Sequence, residues 1–385
     1  LLASFDGAIQ VRLGVGAMLA NHGPRKRRFA RTARASLAWS FLVLGLIHAG
    51  LSALVGWGPA EFHDPLYGEK LAQLRGRVSR AEAGTRLAVV LGSSRALTGL
   101  NAQLLERRLA DMHCPPVIIY NFAVPGGGPV TELLLLHRLL EDGVRPDLLI
   151  LEMWPVFFAE TAVSGNLEWL ESHGIGLEER SWLATYGPLA DPRSVTTVGG
   201  MVVPWYRHRF ALLRRFARRL MPSIPWGVRS HSFDAAGWEP IGGQRPSQEV
   251  YAHLVEADRQ AVTPYFRTDR LAPASCRVVK EILTLAGQHR IHVVLTLFPE
   301  GSDLRQWCPE EYRDRVMTAL EAACREHDLD LIDGHDWLAD EDFFDPVHVM
   351  ASGASEFTDR LAGRLSELEG GSAANVASRP ANSLR

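Results

Sequence analysis

Between Arg86 and Met153 three short apolar runs alternate with stretches whose leucines recur at helical spacing: Arg86-Leu-Ala-Val-Val-Leu91, Val117-Ile-Ile-Tyr120 and Asp147-Leu-Leu-Ile-Leu-Glu-Met153. Runs this short and this continuously apolar read as buried strands. The spacing of Leu104, Leu105 and Leu109 predicts a helix over 101–109. Pro129 suits the first turn of a second helix running to about Leu140, closed by Asp142-Gly143. Parallel strands joined through helices make right-handed crossovers. The chain is therefore expected to build an α/β sheet with helices on both faces.

The rhythm returns near the C-terminus. A helix at about 275–286 precedes the strand Ile291–Leu297, which ends at Phe298-Pro299. A helix over 309–327 precedes the strand Leu329–Ile332, and a last helix is expected from Gly353 to Leu368. The fold class is thus a flavodoxin-like three-layer α/β/α parallel sheet. Residues 66–83 read as a linker helix on the spacing of Leu71, Leu74 and Val78. Residues 156–272, rich in Trp, Pro and Gly, interrupt the pattern and read as a large insertion over the catalytic face. Inside it, Trp205 to about Leu220 forms an arginine-rich amphipathic helix, a surface helix or one suited to anionic lipid or glycan. Residues 369–385, rich in Gly, Ser, Ala and Asn, read as a disordered tail. The domain proper is therefore expected over 60–368.

The N-terminal region has a different composition. Arg25, Lys26, Arg27, Arg28, Arg31 and Arg34 form a basic run with no acidic residue, and residues 1–34 read as a cytoplasmic N-terminus. Ala35 to Trp57 follows, 23 residues without Asp, Glu, Lys or Arg. A helix of that length spans roughly 34 Å, enough for a hydrocarbon core of about 30 Å. Positive charge before the span, with Glu61 and Asp64 after it, gives an N-in, C-out orientation. Trp39 and Trp57 lie near its ends. A cleaved signal peptide is the alternative, but the apolar stretch exceeds the usual signal core. Either reading puts the main domain outside the cytoplasm as part of a single-pass or secreted chain.

The net charge of −3 over 385 residues argues against nucleic acid as a partner. Cys114, Cys276, Cys308 and Cys324 are scattered, with no CxxC pair, so neither a disulfide framework nor a zinc site is expected. No metal or cofactor motif appears: Gly126-Gly127-Gly128 lacks the Lys-Ser/Thr of a P-loop, and the acidic stretch Asp328–Asp342 lacks an EF-hand pattern.

Ligands of an open parallel sheet sit at the carboxyl ends of its strands. Gly92-Ser93-Ser94 follows the first strand, and Asp345-Pro346-Val347-His348 lies in a late loop at the same end. A nucleophilic serine needs a base, and the base needs an orienting acid. Alone, Gly-Ser-Ser is an ordinary turn and Asp-x-x-His an ordinary helix start. In order and on matching strand ends, they form a candidate site. The backbone N–H groups of Ser94 and Gly126 are candidate oxyanion donors. Arg95, Asn121 and Trp154, at the same strand ends, are candidate substrate contacts, Arg95 toward an anion. The Gly-x-Ser-x-Gly elbow of α/β-hydrolases is a rival for Gly92–Ala96, but that fold takes its acid and histidine from separate loops.

Gly92-Ser93-Ser94, Asn121-Phe-Ala-Val-Pro-Gly126 and Asp345-Pro-Val-His348 resemble blocks I, II and V of the SGNH (GDSL-type) hydrolases, in the family's order. The resemblance covers about 86–155 and 275–366. It implies Ser94 as nucleophile, His348 as general base, Asp345 as its partner and Gly126 as an oxyanion donor. Two positions depart from the pattern. Ser93 stands where the family has Asp, and Trp154-Pro155-Val-Phe157 replaces the block III Gly-x-Asn-Asp. Loss of one oxyanion donor typically costs about 10²–10³ in rate. An anchor combined with Gly-Ser-Ser resembles the envelope branch, the polysaccharide O-acetyltransferase and lipoteichoic acid D-alanylation type. The implied activity is an extracytoplasmic serine esterase or O-acyltransferase on acylated carbohydrate or an envelope polymer, with an envelope-biosynthesis protein as a further partner. The alternative is an SGNH-fold protein that binds a glycan or envelope partner without turnover.

Overall fold

A computed structural model of the chain describes residues 24–58, 62–189, 213, 232–267 and 270–378. The chain divides into two units, Leu1–Ala53 and Leu54–Arg385. The first is dominated by helix α1, Pro24–Trp57. Within α1, the 23 residues Thr32–Leu54 have a mean hydropathy of 1.8, long and apolar enough to cross a membrane. Leu37, Trp39, Phe41, Leu44, Leu46 and Ile47 are all exposed on it.

The second unit is built on five strands: β1 Arg86–Leu91, β2 Val117–Asn121, β3 Leu148–Met153, β4 His292–Leu297 and β5 Asp330–Asp333. They pair in the order β2-β1-β3-β4-β5, every neighbour parallel. This is the expected flavodoxin-like sheet, whose order reverses between β1 and β3. Among the described residues its helices are α2 Pro65–Val78, α3 Ser94–Gly99, α4 Ala102–Asp111, α5 Pro129–Glu141, α6 Ala162–His173 and α7 Leu177–Leu183. Then come α8 Gln248–Val262, α9 Pro273–Gln288, α10 Ser302–Trp307, α11 Glu310–His327 and α12 Ala351–Ser378.

Strand side chains alternate between two cores, because successive residues of a strand point to opposite faces. Val89, Leu91, Leu149, Leu151, Val293 and Leu295 join the apolar faces of α2, α5, α9 and α11. Ala88, Val90, Ile150, Val294 and Ile332 join α4 and α12 on the other side. Both faces of the sheet are buried, which is why its strands read as continuous apolar runs.

Three expectations need correction. α2 is no linker: Tyr67, Leu71 and Leu74 are buried in the core, while Val78 points out at 43% exposure. The last helix continues past Leu368 to Ser378, where Ala373, Ala374 and Ala377 favour helix despite Gly370 and Gly371. The insertion is not merely a cover, since Val163, Leu167 and Leu170 of α6 and Leu183 after α7 begins pack into the same core as α5 and α9. The arginine-rich helix expected over 205–220 lies outside the described residues apart from Leu213.

α5 carries an anomaly. Glu132 is fully buried, and neither carboxyl oxygen has a hydrogen-bond partner among the described residues. Burial, and after it the charge of Glu152, hold its pKa well above the ordinary glutamate range. The folded chain therefore keeps a proton that the unfolded chain releases above about pH 4.3. Stability from this group is complete below that value and declines as pH rises toward the folded pKa. Glu132→Gln keeps the neutral shape without the titration. Its melting temperature is expected to exceed that of the unaltered protein at about pH 8, with the gap closing at about pH 4; parallel melts at the two pH values check this.

Candidate active site

The site begins where β1 ends. A Cβ on Gly92 would lie 2.6 Å from Glu152 Oε2 and 2.7 Å from Ala96 Cβ, so only glycine fits. Ser93 caps α3, its hydroxyl accepting from Arg95 N at 3.2 Å. Both Ser93 N–H and Ser93 Oγ–H donate to Glu152 Oε2, at 2.7 and 2.9 Å. Glu152, one carboxylate in an otherwise apolar strand, thus pins the turn from β3. The hydroxyl of Ser93 is fully engaged, and Ser94 is left half-buried on the first residue of α3.

Ser94 Oγ lies 2.8 Å from His348 Nε2, across 254 residues of sequence. His348 Nδ1 lies 2.9 Å from Asp345 Oδ2 and 3.0 Å from Oδ1. Asp345 Oδ1 also accepts from the N–H groups of Val347, at 2.9 Å, and His348, at 2.6 Å. The loop closes through an antiparallel bridge between Phe343 and Val349 and a 2.9 Å bond from Phe344 N to His348 O. Burial opposes ionisation of Asp345. The hydrogen bond and charge of His348, with the two N–H donors, outweigh it and hold the carboxyl below its ordinary range. An ionised Asp345 accepts the proton on Nδ1, which leaves Nε2 as the acceptor for the Ser94 hydroxyl.

The loop after β2 is tied to the same turn. Val124 N donates to Gly92 O at 3.1 Å, and Gly127 N donates to Val124 O at 3.0 Å. Gly126 sits at φ +67°, and a Cβ there would collide with the Trp169 indole. Asn166 of α6 donates to Gly126 O at 3.2 Å and to Thr131 Oγ1 at 2.8 Å, fixing the peptide from the carbonyl side. The N–H groups of Ser94 and Gly126 donate to no described residue. The first residue of a helix leaves its N–H without an intrahelical partner.

The three expected substrate contacts fare differently. Arg95 is neither exposed nor open to an anion. Its guanidinium is buried, 3.4 Å from Glu152, donating to the carbonyls of Phe298 and Pro299 at 2.8 and 3.0 Å. Glu300, 3.8 Å away, adds a second carboxylate, so the charge is compensated internally. Asn121 is fully buried too. It donates to Ala96 O at 2.7 Å and Leu100 O at 3.0 Å and accepts from Ala123 N at 3.1 Å, tying α3 to β2. Both residues follow the strand ends closely enough to turn inward beneath the site. Trp154 alone stays half-exposed at the end of β3, its ring 4.6 Å from the Arg95 guanidinium. At the block III position, then, the side chain is an indole stacked on a cation, followed by a short 3-10 turn over Pro155–Phe158.

Glu152 and Asn166 were not singled out in the sequence. Glu152 had a legible signal, an acid in a buried strand; Asn166, inside the insertion, had none.

The family model for a protein of unknown function (DUF1574) matches residues 67–171. No curated protein matches the chain. Among solved structures, the lipase/acylhydrolase from Enterococcus faecalis is 13% identical, with 74% of this chain and 97% of that one covered at a TM-score of 0.34. A GDSL-like lipase from Bacteroides thetaiotaomicron is 9% identical, with 78% and 98% covered at 0.32. A lipase from a goat rumen metagenome is 12% identical, with 73% and 97% covered at 0.30.

Proposed function

We propose that the chain is a serine esterase or O-acyltransferase, anchored by α1 with its main domain outside the cytoplasm, acting on acyl esters of envelope or extracellular carbohydrate. The observation that carries the reading is the 2.8 Å approach of Ser94 Oγ to His348 Nε2, with Asp345 behind the ring. The resemblance of the three sequence blocks to SGNH hydrolases supports it, and the basic run in the first turns of α1, ahead of its apolar stretch, supports the orientation.

In the reaction, Ser94 Oγ bonds to the acyl carbon while its proton passes to His348 Nε2. The carbonyl electron pair moves onto oxygen, where the N–H groups of Ser94 and Gly126 receive it. As the tetrahedral intermediate collapses, the bond to the departing alcohol breaks and the imidazolium returns its proton to that oxygen. Water or an acceptor hydroxyl then gives its proton to Nε2 and attacks the acyl-enzyme, and the same steps run in reverse. Asp345 holds the tautomer and the charge throughout.

Labelling by a membrane-impermeant fluorophosphonate tests both chemistry and orientation. The full chain in right-side-out vesicles is expected to label, and in inverted vesicles to label only after detergent. Labelling confined to inverted vesicles contradicts the orientation. A folded chain that never labels contradicts the activity and favours the second reading, a glycan- or partner-binding protein. Trp154, standing where the family has a side-chain donor, is the observation on that side.

A further inference from the structure

Helix α8 brings a carboxylate from the insertion to the catalytic loop. Val262 is the buried residue of α8, and it packs with Val156, Leu304 and Val347, the last being the neighbour of His348. Asp258 lies four residues before Val262, one helical turn away on the same face. Its Oδ2 is closed to solvent and has no hydrogen-bond partner among the described residues. Burial and then the charge of Asp345 raise its pKa to about 6, with His348 acting the other way. Asp258 makes no hydrogen bond or ion pair with His348 itself, so it does not belong to the relay.

Among the described residues, His348 apart, no positive group pairs with this second carboxylate. Arg95 is sealed against Glu152 and the Phe298 and Pro299 carbonyls. Arg259, the next residue on α8, is paired with Glu256. α10, which packs against α8, carries Asp303, and its Arg305 donates to Glu300 O. Around His348 the described side chains are therefore negative, with Asp345 and Asp258 both near the imidazole.

We infer that Asp258 is a specificity-determining residue of the Ser94–His348 site, admitting neutral esters and disfavouring esters that carry negative charge near the acyl group. The inference rests on the serine-esterase reading. It narrows the substrate class to neutral acylated carbohydrate. Ionised Asp258 acts on an anionic acyl chain through the partly desolvated cleft, where one unit charge at several ångströms changes kcat/KM by about tenfold.

The test compares kcat/KM of the full-length protein for 4-nitrophenyl acetate and for the anionic 4-nitrophenyl hemisuccinate between about pH 5.5 and 8. In the unaltered protein the acetate-to-hemisuccinate ratio is expected to rise about tenfold as pH increases through the titration of Asp258. In Asp258→Asn the ratio is expected to be low and flat with pH, the change residing in KM for the anionic ester. A ratio and pH dependence identical in the two proteins overturns the inference while leaving the esterase reading intact. No turnover of either ester by the unaltered protein overturns both. If Asp258→Asn melts abnormally, Asp258→Ser serves as the second variant under the same criterion.

Discussion

Ser94→Ala is expected to abolish covalent labelling by a fluorophosphonate and to lower ester turnover by about 10⁴–10⁶-fold, with no change in melting temperature. The size follows from the role. Removing the nucleophile or base of such a triad leaves only binding and oxyanion stabilisation. The melting temperature stays put because the Ser94 hydroxyl is half-exposed and bonds to His348 alone among the described side chains. His348→Ala is expected to match Ser94→Ala, since the two act as one unit. Asp345→Asn should cost about 10⁴, because an amide permits the wrong imidazole tautomer. Asp345 Oδ1 also holds the N–H groups of Val347 and His348, a place the Asn oxygen can take, so loss of stability is expected for Asp345→Ala rather than for Asp345→Asn. The sign with pH is fixed as well: the Asp345 carboxyl titrates below its ordinary range, so its contribution is complete above the unfolded pKa and is lost as pH falls through the folded one. Labelling that persists in Ser94→Ala would show that another residue is the nucleophile.

The second large effect is structural and reaches the site from below. Glu152→Ala is expected to destabilise the protein by about 3–5 kcal/mol, because it leaves the buried Arg95 with only the more distant Glu300. For a domain of this size that corresponds to a fall of roughly 10 °C in melting temperature. Ser93 loses the acceptor of both its N–H and its hydroxyl in the same substitution, so the turn that presents Ser94 loosens. Turnover should therefore drop more than the unfolded fraction accounts for. Glu152→Gln keeps one acceptor oxygen and should recover part of each loss. A thermal melt and an active-site titration on both variants check this; an unchanged melt for Glu152→Ala would mean that the Arg95 pair does not hold the turn.

The sheet was readable because its strands are buried on both faces and therefore apolar without a break, as in Leu87–Leu91 and Leu148–Leu151. The Ser94–His348–Asp345 cluster was readable because parallel topology sends every strand end to one edge, so Ser94 and His348 could be placed together from order alone. What escaped was direction. Arg95 follows Ser94, and nothing in Ser94-Arg95-Ala96 says that its guanidinium turns inward to Glu152. That depends on β3 placing an acid under β1. Asn121 likewise reads as a strand-end polar group, yet the carbonyls of Ala96 and Leu100 consume its amide. The role of α2 was missed because its amphipathic pattern is weak, and its burial follows from where β2 lies. Asp258 carried no signal at all, since its position depends on how the insertion returns over the loop.

The separation of Ser94 and His348 along the chain has a kinetic consequence. A contact spanning 254 residues needs the turn after β1 and the loop after β5 brought to one edge of the sheet, so it is expected to close late. Contacts so distant in sequence form late, because the entropy of closing the loop is lost before they return any stabilisation. During refolding from denaturant, reactivity of Ser94 toward a serine-directed probe should consequently lag behind the recovery of helical circular dichroism, making that contact a timer for the completion of the native topology.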